Sequence, residues 1–370
     1  MSELLDSLVR ASVRSVAPYV PGTTVEQARR RFGLERVVKL SSNENPLGTS
    51  PRAMAAIREL ETLHIYVDDD YRAVRSLIAQ RAGDGVALEN VLLGHGSNEL
   101  LAQLFITFTE PGDQVVMADP TFSLYRMDAR LHGVEAVEVP LRDGVHDLDA
   151  MLSAVGAKTK MVIICDPNNP TGTQVEPEAF ARFVQALPER VILVLDQAYR
   201  EYMTAGVEGI TYAMNRPQTI VLRTASKIYG LAAVRFGYAI AQKDMIDWLL
   251  RTRLPFNVSA PALAAVTAAL GDDDFLRQSV AANVAGRAQL TAGFTQLGLT
   301  MYPSAANFVA VAVPMSATIA YEGLLKQGVI VRSGDGLRMP QRLRVTIGTQ
   351  LENATFLAAL TAVLASEAPR

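Results

Sequence analysis

The chain has 370 residues, 49% hydrophobic and 20% charged, the composition of a globular protein with a generous core. Its 35 basic and 38 acidic residues leave a net charge of -3 without a basic stripe, which argues against nucleic acid as a partner. A single cysteine, Cys165, excludes an intrachain disulfide, and four scattered histidines give no metal-ligand spacing.

The first twenty residues, MSELLDSLVRASVRSVAPYV, carry Glu3 and Asp6 and no long apolar run. They predict an amphipathic helix lying on the surface or on a partner subunit rather than a secretory or transit signal, and hence a cytoplasmic protein. No stretch approaches 18 apolar residues, so no membrane span is expected. Short β-branched runs follow at 90–94, 114–118, 135–140, 160–166, 190–196 and 219–224, and each predicts a strand. Several are apolar nearly throughout, as strands buried on both faces are. Helical patterns at 97–108, 121–132 and 176–186 lie between them. The alternation predicts an α/β domain with a mostly parallel sheet.

After Tyr238 the pattern changes. Residues 272–298 predict one long helix opened by acids that suit its N-terminal dipole. A strand at 307–313, a helix at 316–327, the strand-like GVIVRS and LRVTIGT, and a last helix from about 350 describe a smaller α+β unit. The division expected is a large domain over 46–282 and a small domain built from 1–45 and 283–370, with the second boundary inside the long helix.

Four of the apolar strands end in small, polar or ionisable residues: NVLLG runs into HGSNELL, KMVIICD into PNNPTG, RVILVLD into QAYREY, and TIVLRT into ASK. Ligands of open α/β sheets bind at the carboxyl ends of strands. Any one of these ends could be a plain turn; four together describe a site. The glycine turn at Gly96 opens a helix, so the amides of Gly96, Ser97 and Asn98 would face an anion. Thr224, Ser226 and Arg235 add hydroxyls and a planar cation, a set suited to a phosphate monoester. Asp196 at a strand end would be a costly buried carboxylate without a cationic partner. Lys227 is the one amine of the set, and kept from water near an arginine it can lose its proton and act as a nucleophile. An amine nucleophile, a phosphate cradle and a carboxylate for a ring nitrogen describe pyridoxal 5'-phosphate. Lys227 would form the Schiff base with its aldehyde and Asp196 would pair with the pyridine nitrogen. Asn169 and Tyr199 would serve the ring hydroxyl, and Phe122 would stack on the ring.

With these residues placed, the sequence resembles the fold-type-I pyridoxal-phosphate aminotransferases, and among them the histidinol-phosphate aminotransferases. The resemblance rests on nine ordered motifs spanning nearly the whole chain. They are PYVPG (18–22), KLSSNENPLG (39–48), GHGSNELL (94–101), DPTFSLY (119–125), PNNPTG (167–172), DQAY (196–199), TASKIYGLAAVRFGY (224–238), PSAANFVAV (303–311) and LRVTIGTQLEN (343–353). It implies a mostly parallel seven-stranded sheet between helices. Lys227 then matches the cofactor lysine, Arg235 the phosphate arginine, Asn169 the N-P-T-G asparagine, and Asp196 and Tyr199 the D-x-A-Y pair. Arg344 matches the arginine for the substrate carboxylate, and Arg332 and Tyr19 match positions at the substrate's far end. Asn43 and Asn45 belong to a loop that reaches the site. Tyr66 matches a tyrosine that crosses a homodimer interface to the partner's cofactor phosphate, making the active site composite.

The implied reaction is ping-pong transamination of histidinol phosphate with 2-oxoglutarate, giving imidazole-acetol phosphate and glutamate in histidine biosynthesis. An aromatic amino acid aminotransferase, a phospho-amino-acid decarboxylase and a non-catalytic binding protein remain the competing readings. Three departures from the family pattern stand out, and the first bears on the substrate. Around Tyr66 the family reads Y-P-D-G where this chain has YVDDDY, so Val67 replaces the proline and Asp69 the glycine; an acid there would repel a phosphorylated substrate if it pointed inward. Gln197 replaces the usual glutamate, and His95 the usual asparagine, without removing a cofactor contact.

Overall fold

The structure, a computed structural model, describes residues 3–14, 16–18, 22–83 and 85–367. Tyr19 lies outside these described residues. Twelve strands are formed among them: β1 Val38–Lys39, β2 Val91–Gly94, β3 Gln114–Asp119, β4 Glu135–Pro140, β5 Thr159–Cys165, β6 Ile192–Asp196, β7 Thr219–Thr224, β8 Gly237–Ala241, β9 Phe308–Ala312, β10 Val329–Ile330, β11 Arg332–Ser333 and β12 Arg342–Thr346.

Strands β2 to β8 make one seven-stranded sheet in the order β2-β8-β7-β6-β5-β3-β4. Neighbours pair in parallel except at β8, which runs antiparallel to both β2 and β7. The apolar runs become these strands because both faces are covered. In β6, Val194 packs into the cluster with Leu104, Val115 and Ile163, while Leu193 and Leu195 turn to the other face among Phe180, Phe183 and Val221. That is the period of two that a pleated strand imposes. β8 is the strand that the pattern of apolar runs misses. Its sequence, GYAIA, opens on Gly237, and a Cβ there would lie 2.3 Å from the Ser97 amide nitrogen.

The second unit contains a three-stranded antiparallel sheet, β11-β12-β9, and the parallel pair β1-β10. The long helix runs Asp273–Gln296, with Asp272 capping its first turn by accepting the Phe275 amide (3.3 Å). Leu40, next to β1, packs with Leu290, Phe294, Val345 and Phe356 in this unit's core. The single amphipathic helix expected at the N-terminus is instead two short ones, Glu3–Leu8 and Ala11–Arg14. The second of these rests on the helix Ser123–Leu131, where Ser12 Oγ donates to the Leu131 carbonyl (3.1 Å). Among the described residues no helix is long and apolar enough to cross a membrane.

Candidate active site

The carboxyl ends of β2, β5, β6 and β7 open onto one cavity of about 300 Å³. Asp196 is the last residue of β6 and is 5% exposed. Its carboxylate accepts the Tyr125 hydroxyl (2.6 Å) and the Ala198 amide (3.1 Å). Burial pushes its pKa up, while those two hydrogen bonds and the charge of Lys227 pull it back. Tyr125 is fully buried, and burial together with Asp196 pushes its phenol well up, so it stays protonated and donates.

Lys227 sits in the turn after β7. Thr224 Oγ1 accepts the Ser226 amide (3.1 Å) and donates to the Phe236 carbonyl (3.0 Å), which closes the base of the turn. At its far side Gly230 has φ +65°, and a Cβ there would stand 1.9 Å from the Gly48 carbonyl oxygen, so only glycine fits. Lys227 is half-buried and lines the cavity. Burial is the main cause that lowers its pKa to about 8; Arg344 and Arg235 push the same way, and Glu44 and Asp196 oppose them. Its Nζ lies 5.8 Å from the centre of the Tyr199 ring.

The anion cradle is built by close backbone approach. Gly96 (φ +82°) precedes the helix Ser97–Phe108, and a Cβ at 96 would stand 2.6 Å from Arg235 Nη2. Arg235 is itself left-handed (φ 59°); its Nη1 donates to the Ala232 carbonyl (2.9 Å) and to Ser226 Oγ (3.3 Å). Ser97, Asn98, Thr224, Ser226 and Arg235 all line the cavity. A twelve-residue helix opening onto the cavity beside a guanidinium and two hydroxyls suits a phosphate. Phe122 also lines the cavity and meets Tyr125 edge-on, with ring centres 5.5 Å apart.

The second unit closes the cavity. Arg344 on β12 donates to Asn169 Oδ1 (2.8 Å) and to the Ser41 carbonyl (2.6 Å). Asn43 donates from Nδ2 to the Tyr199 hydroxyl (3.0 Å). Burial raises the Tyr199 phenol, and Arg344 and Asn43 work against it. Arg332 on β11 stands opposite Arg344 in the strand register and lines the same cavity, so two guanidinium groups enter it from adjacent strands.

Two candidates are held elsewhere. Asn45 is buried outside the lining, its amide donating to the Ile228 carbonyl (2.8 Å) and Ser279 Oγ (2.9 Å); it braces the lysine turn from behind. Tyr66 is 79% exposed and stacks on Phe256, centres 4.5 Å apart. The departures are also accounted for. Asp69 is turned onto Arg253, Gln197 is buried on the Val207 carbonyl (2.9 Å) and Arg223 (3.2 Å), and His95 donates its amide to the Glu99 carboxylate. Sequence reasoning passed over Tyr125. Its spacing of three from Phe122 at a helix start, which puts both rings on one face, is the signal that could have found it.

This fold and this arrangement of lysine, aspartate and cradle define an aminotransferase of fold type I. The chain belongs to the class I and II aminotransferases, whose family model matches residues 35–360. It is 43% identical over 362 residues to the histidinol-phosphate aminotransferase of Halalkalibacterium halodurans, covering 97% of this chain and 98% of the relative. It is 44% identical over 364 residues to histidinol-phosphate aminotransferase 2 of Pseudomonas fluorescens, covering 97% and 98%. The crystal structure of histidinol-phosphate aminotransferase from Sinorhizobium meliloti in complex with pyridoxal-5'-phosphate superposes with a TM-score of 0.89 at 29% identity, covering 98% of this chain and 99% of that one. A Thermus thermophilus aspartate aminotransferase mutant shares the fold with a TM-score of 0.85 at 24% identity, covering 96% and 99%.

Proposed function

We propose that the chain is a pyridoxal-phosphate-dependent transaminase that converts histidinol phosphate and 2-oxoglutarate to imidazole-acetol phosphate and glutamate, a step of histidine biosynthesis. The observation that carries the chemistry is Lys227, an amine with its pKa lowered to about 8, sharing one cavity with buried Asp196 and the anion cradle. The similarity to histidinol-phosphate aminotransferases over nearly the whole chain supports the substrate.

The donor set fits the cofactor. Lys227 would hold its aldehyde carbon, Asp196 its ring nitrogen, Tyr199 and Asn169 its ring hydroxyl, and Phe122 its face. Gly96, Ser97, Asn98, Thr224, Ser226 and Arg235 would hold its phosphate. When bound, pyridoxal phosphate supplies an electron sink for charge developing at the substrate Cα. Lys227 would be the neutral amine that accepts the substrate's Cα proton. Asp196 would supply a fixed negative charge to the cofactor's ring nitrogen. Arg344 would bind the carboxylate of the oxo acid, while Arg332 and Tyr19 would meet the substrate's far end. Two guanidinium groups on neighbouring strands let one cavity accept either a carboxylate or a phosphate.

The reading includes a cytoplasmic homodimer. Tyr66 stands among exposed apolar side chains, Leu63 (69%), Ile65 (66%), Leu254 (68%) and Phe256 (41%), a surface that a second copy would cover. From there Tyr66 would reach the partner's cofactor phosphate. It also includes the division at 45/46 and 282/283, supported by Leu40 packing with Leu290 and Phe294.

The test is a half-reaction. Histidinol phosphate is added to the purified, cofactor-loaded protein without any oxo acid. The expected result is loss of the visible cofactor band with stoichiometric pyridoxamine phosphate. A band that survives histidinol phosphate but bleaches with phenylalanine or tyrosine would move the substrate to the aromatic amino acids. Carbon dioxide release from a phosphorylated amino acid, without a need for any oxo acid, would make the chain a decarboxylase.

A further inference from the structure

The stretch from Tyr66 to Tyr71 places three consecutive acids beside an exposed aromatic ring. Asp70 is paired with Arg75 (2.5 Å) and Arg72 (3.2 Å). Asp69 is bound more completely. Its carboxylate accepts both Arg253 Nη1 (2.8 Å) and Nη2 (2.6 Å), a two-pronged contact, and also the Phe256 amide (2.7 Å). Phe256 has φ 54°, a conformation costly for a bulky side chain that persists only where its surroundings impose it. The Asp69 hydrogen bond is one such constraint, and the ring it fixes is the one on which Tyr66 stacks. The far side of the clamp reaches the cradle. Arg253 Nη1 also donates to Asn257 Oδ1 (3.1 Å), Asn257 Nδ2 donates to Glu99 Oε2 (2.8 Å), and Glu99 takes the His95 amide just before Gly96. The Tyr66 hydroxyl has no hydrogen-bond partner among the described residues.

We propose that Asp69 is a positioning residue for Tyr66: clamped on Arg253 and the Phe256 amide, it fixes the aromatic stack that presents Tyr66 to the cofactor phosphate of a second copy of this chain. The proposal rests on the dimeric reading above. It reverses the sign expected of an acid at this position. The charge of Asp69 is spent on Arg253 and is not offered to the phosphate, so a residue that departs from the family pattern serves the site through another side chain.

The experiment measures how fast the holoenzyme releases pyridoxal phosphate, read as decay of its visible band, with sedimentation and thermal unfolding as controls. Tyr66→Phe is expected to speed release about tenfold, the loss of one hydrogen bond to a charged group. Asp69→Ala should speed it about three- to tenfold with the dimer intact, and the double variant should release no faster than Tyr66→Phe alone, because both remove the same contact. Should Asp69→Ala fail to fold, Asp69→Asn keeps an acceptor for the Phe256 amide while removing the charge, and is expected to accelerate release by a smaller factor. Unchanged release in a folded Asp69 variant, additive losses in the double variant, or a dimer that dissociates on Asp69→Asn would each overturn the clamp while leaving the composite site standing. An unchanged release rate in Tyr66→Phe would overturn the composite site, and the clamp with it.

Discussion

At the carboxyl edge of the large sheet, Asp196 is 5% exposed and bonded to Tyr125, and Tyr199 is 3% exposed and bonded to Asn43. In the 66–71 loop, Tyr66 is 79% exposed, and Asp69 and Arg253 are bonded to each other rather than to the tyrosine. At the edge, the groups assigned to chemistry are also the groups that hold the local structure. In the loop, the proposed functional side chain is carried and others do the holding. The difference teaches where function and stability separate: edge substitutions disturb both together, whereas loop substitutions can remove one and spare the other.

The comparison can be broken most severely at Lys227. Lys227→Ala should lower multiple-turnover transamination roughly a thousandfold or more, since the proposed covalent anchor and base would be lost together. Residual turnover near the wild-type rate would remove the lysine from the mechanism. Asp196→Asn comes next, with a fall in kcat of about a hundredfold or more. The visible cofactor band should remain, and a near-normal rate would show that the ring nitrogen has no need of the charge. Tyr125→Phe sharpens the contrast, because it tests a member of the edge that only supports another. Its hydrogen bond favours ionised Asp196, so removal raises the aspartate pKa. A roughly tenfold loss in kcat is expected, with the acidic limb of the pH profile moved to higher pH; an unmoved limb would make Tyr125 mere packing. The smallest effect concerns Arg344, whose charge is the second cause of the low Lys227 pKa. In the cofactor-free protein, cofactor capture should rise about tenfold per pH unit up to about 8 and then level, as the amine becomes neutral. Arg344→Gln should shift that bend upward, and a bend that stays put would remove Arg344 from the causes and leave burial and Arg235.

The edge was legible in the sequence because its residues follow apolar strands and carry unusual chemistry close together. Thr224, Ser226, Lys227 and Arg235 occupy one short stretch, and the helix at 97–108 was predicted to its observed ends. β8 was not legible as a strand: it is a five-residue run opened by glycine, and its antiparallel insertion between β2 and β7 leaves no mark in the local pattern. Asn45 reads locally like Asn43, two positions away, yet one lies behind the lysine turn and the other bonds Tyr199. Backbone direction decides that, and Asn43 takes the left-handed conformation (φ 54°). The fate of Asp69 depends on Arg253, 184 positions on, which no local reading supplies.

One contact of Asn43 has a consequence for the chain during its synthesis. Its amide donates to Thr346 Oγ1 (2.9 Å), and Arg344 donates to the Ser41 carbonyl, each pair joining residues 303 positions apart. The last strand of the large sheet ends at Ala241, about a hundred residues before Arg344. At a ribosomal pace of roughly 5 to 20 residues per second, the nascent sheet waits about 5 to 20 s for its final wall. For that interval Asp196 and Lys227 stand at an open edge, and the arm at 41–43 has nothing yet to close against. A nascent chain stalled near residue 300 would therefore carry the lysine turn and the helix of the cradle without the two arginines that complete the cavity.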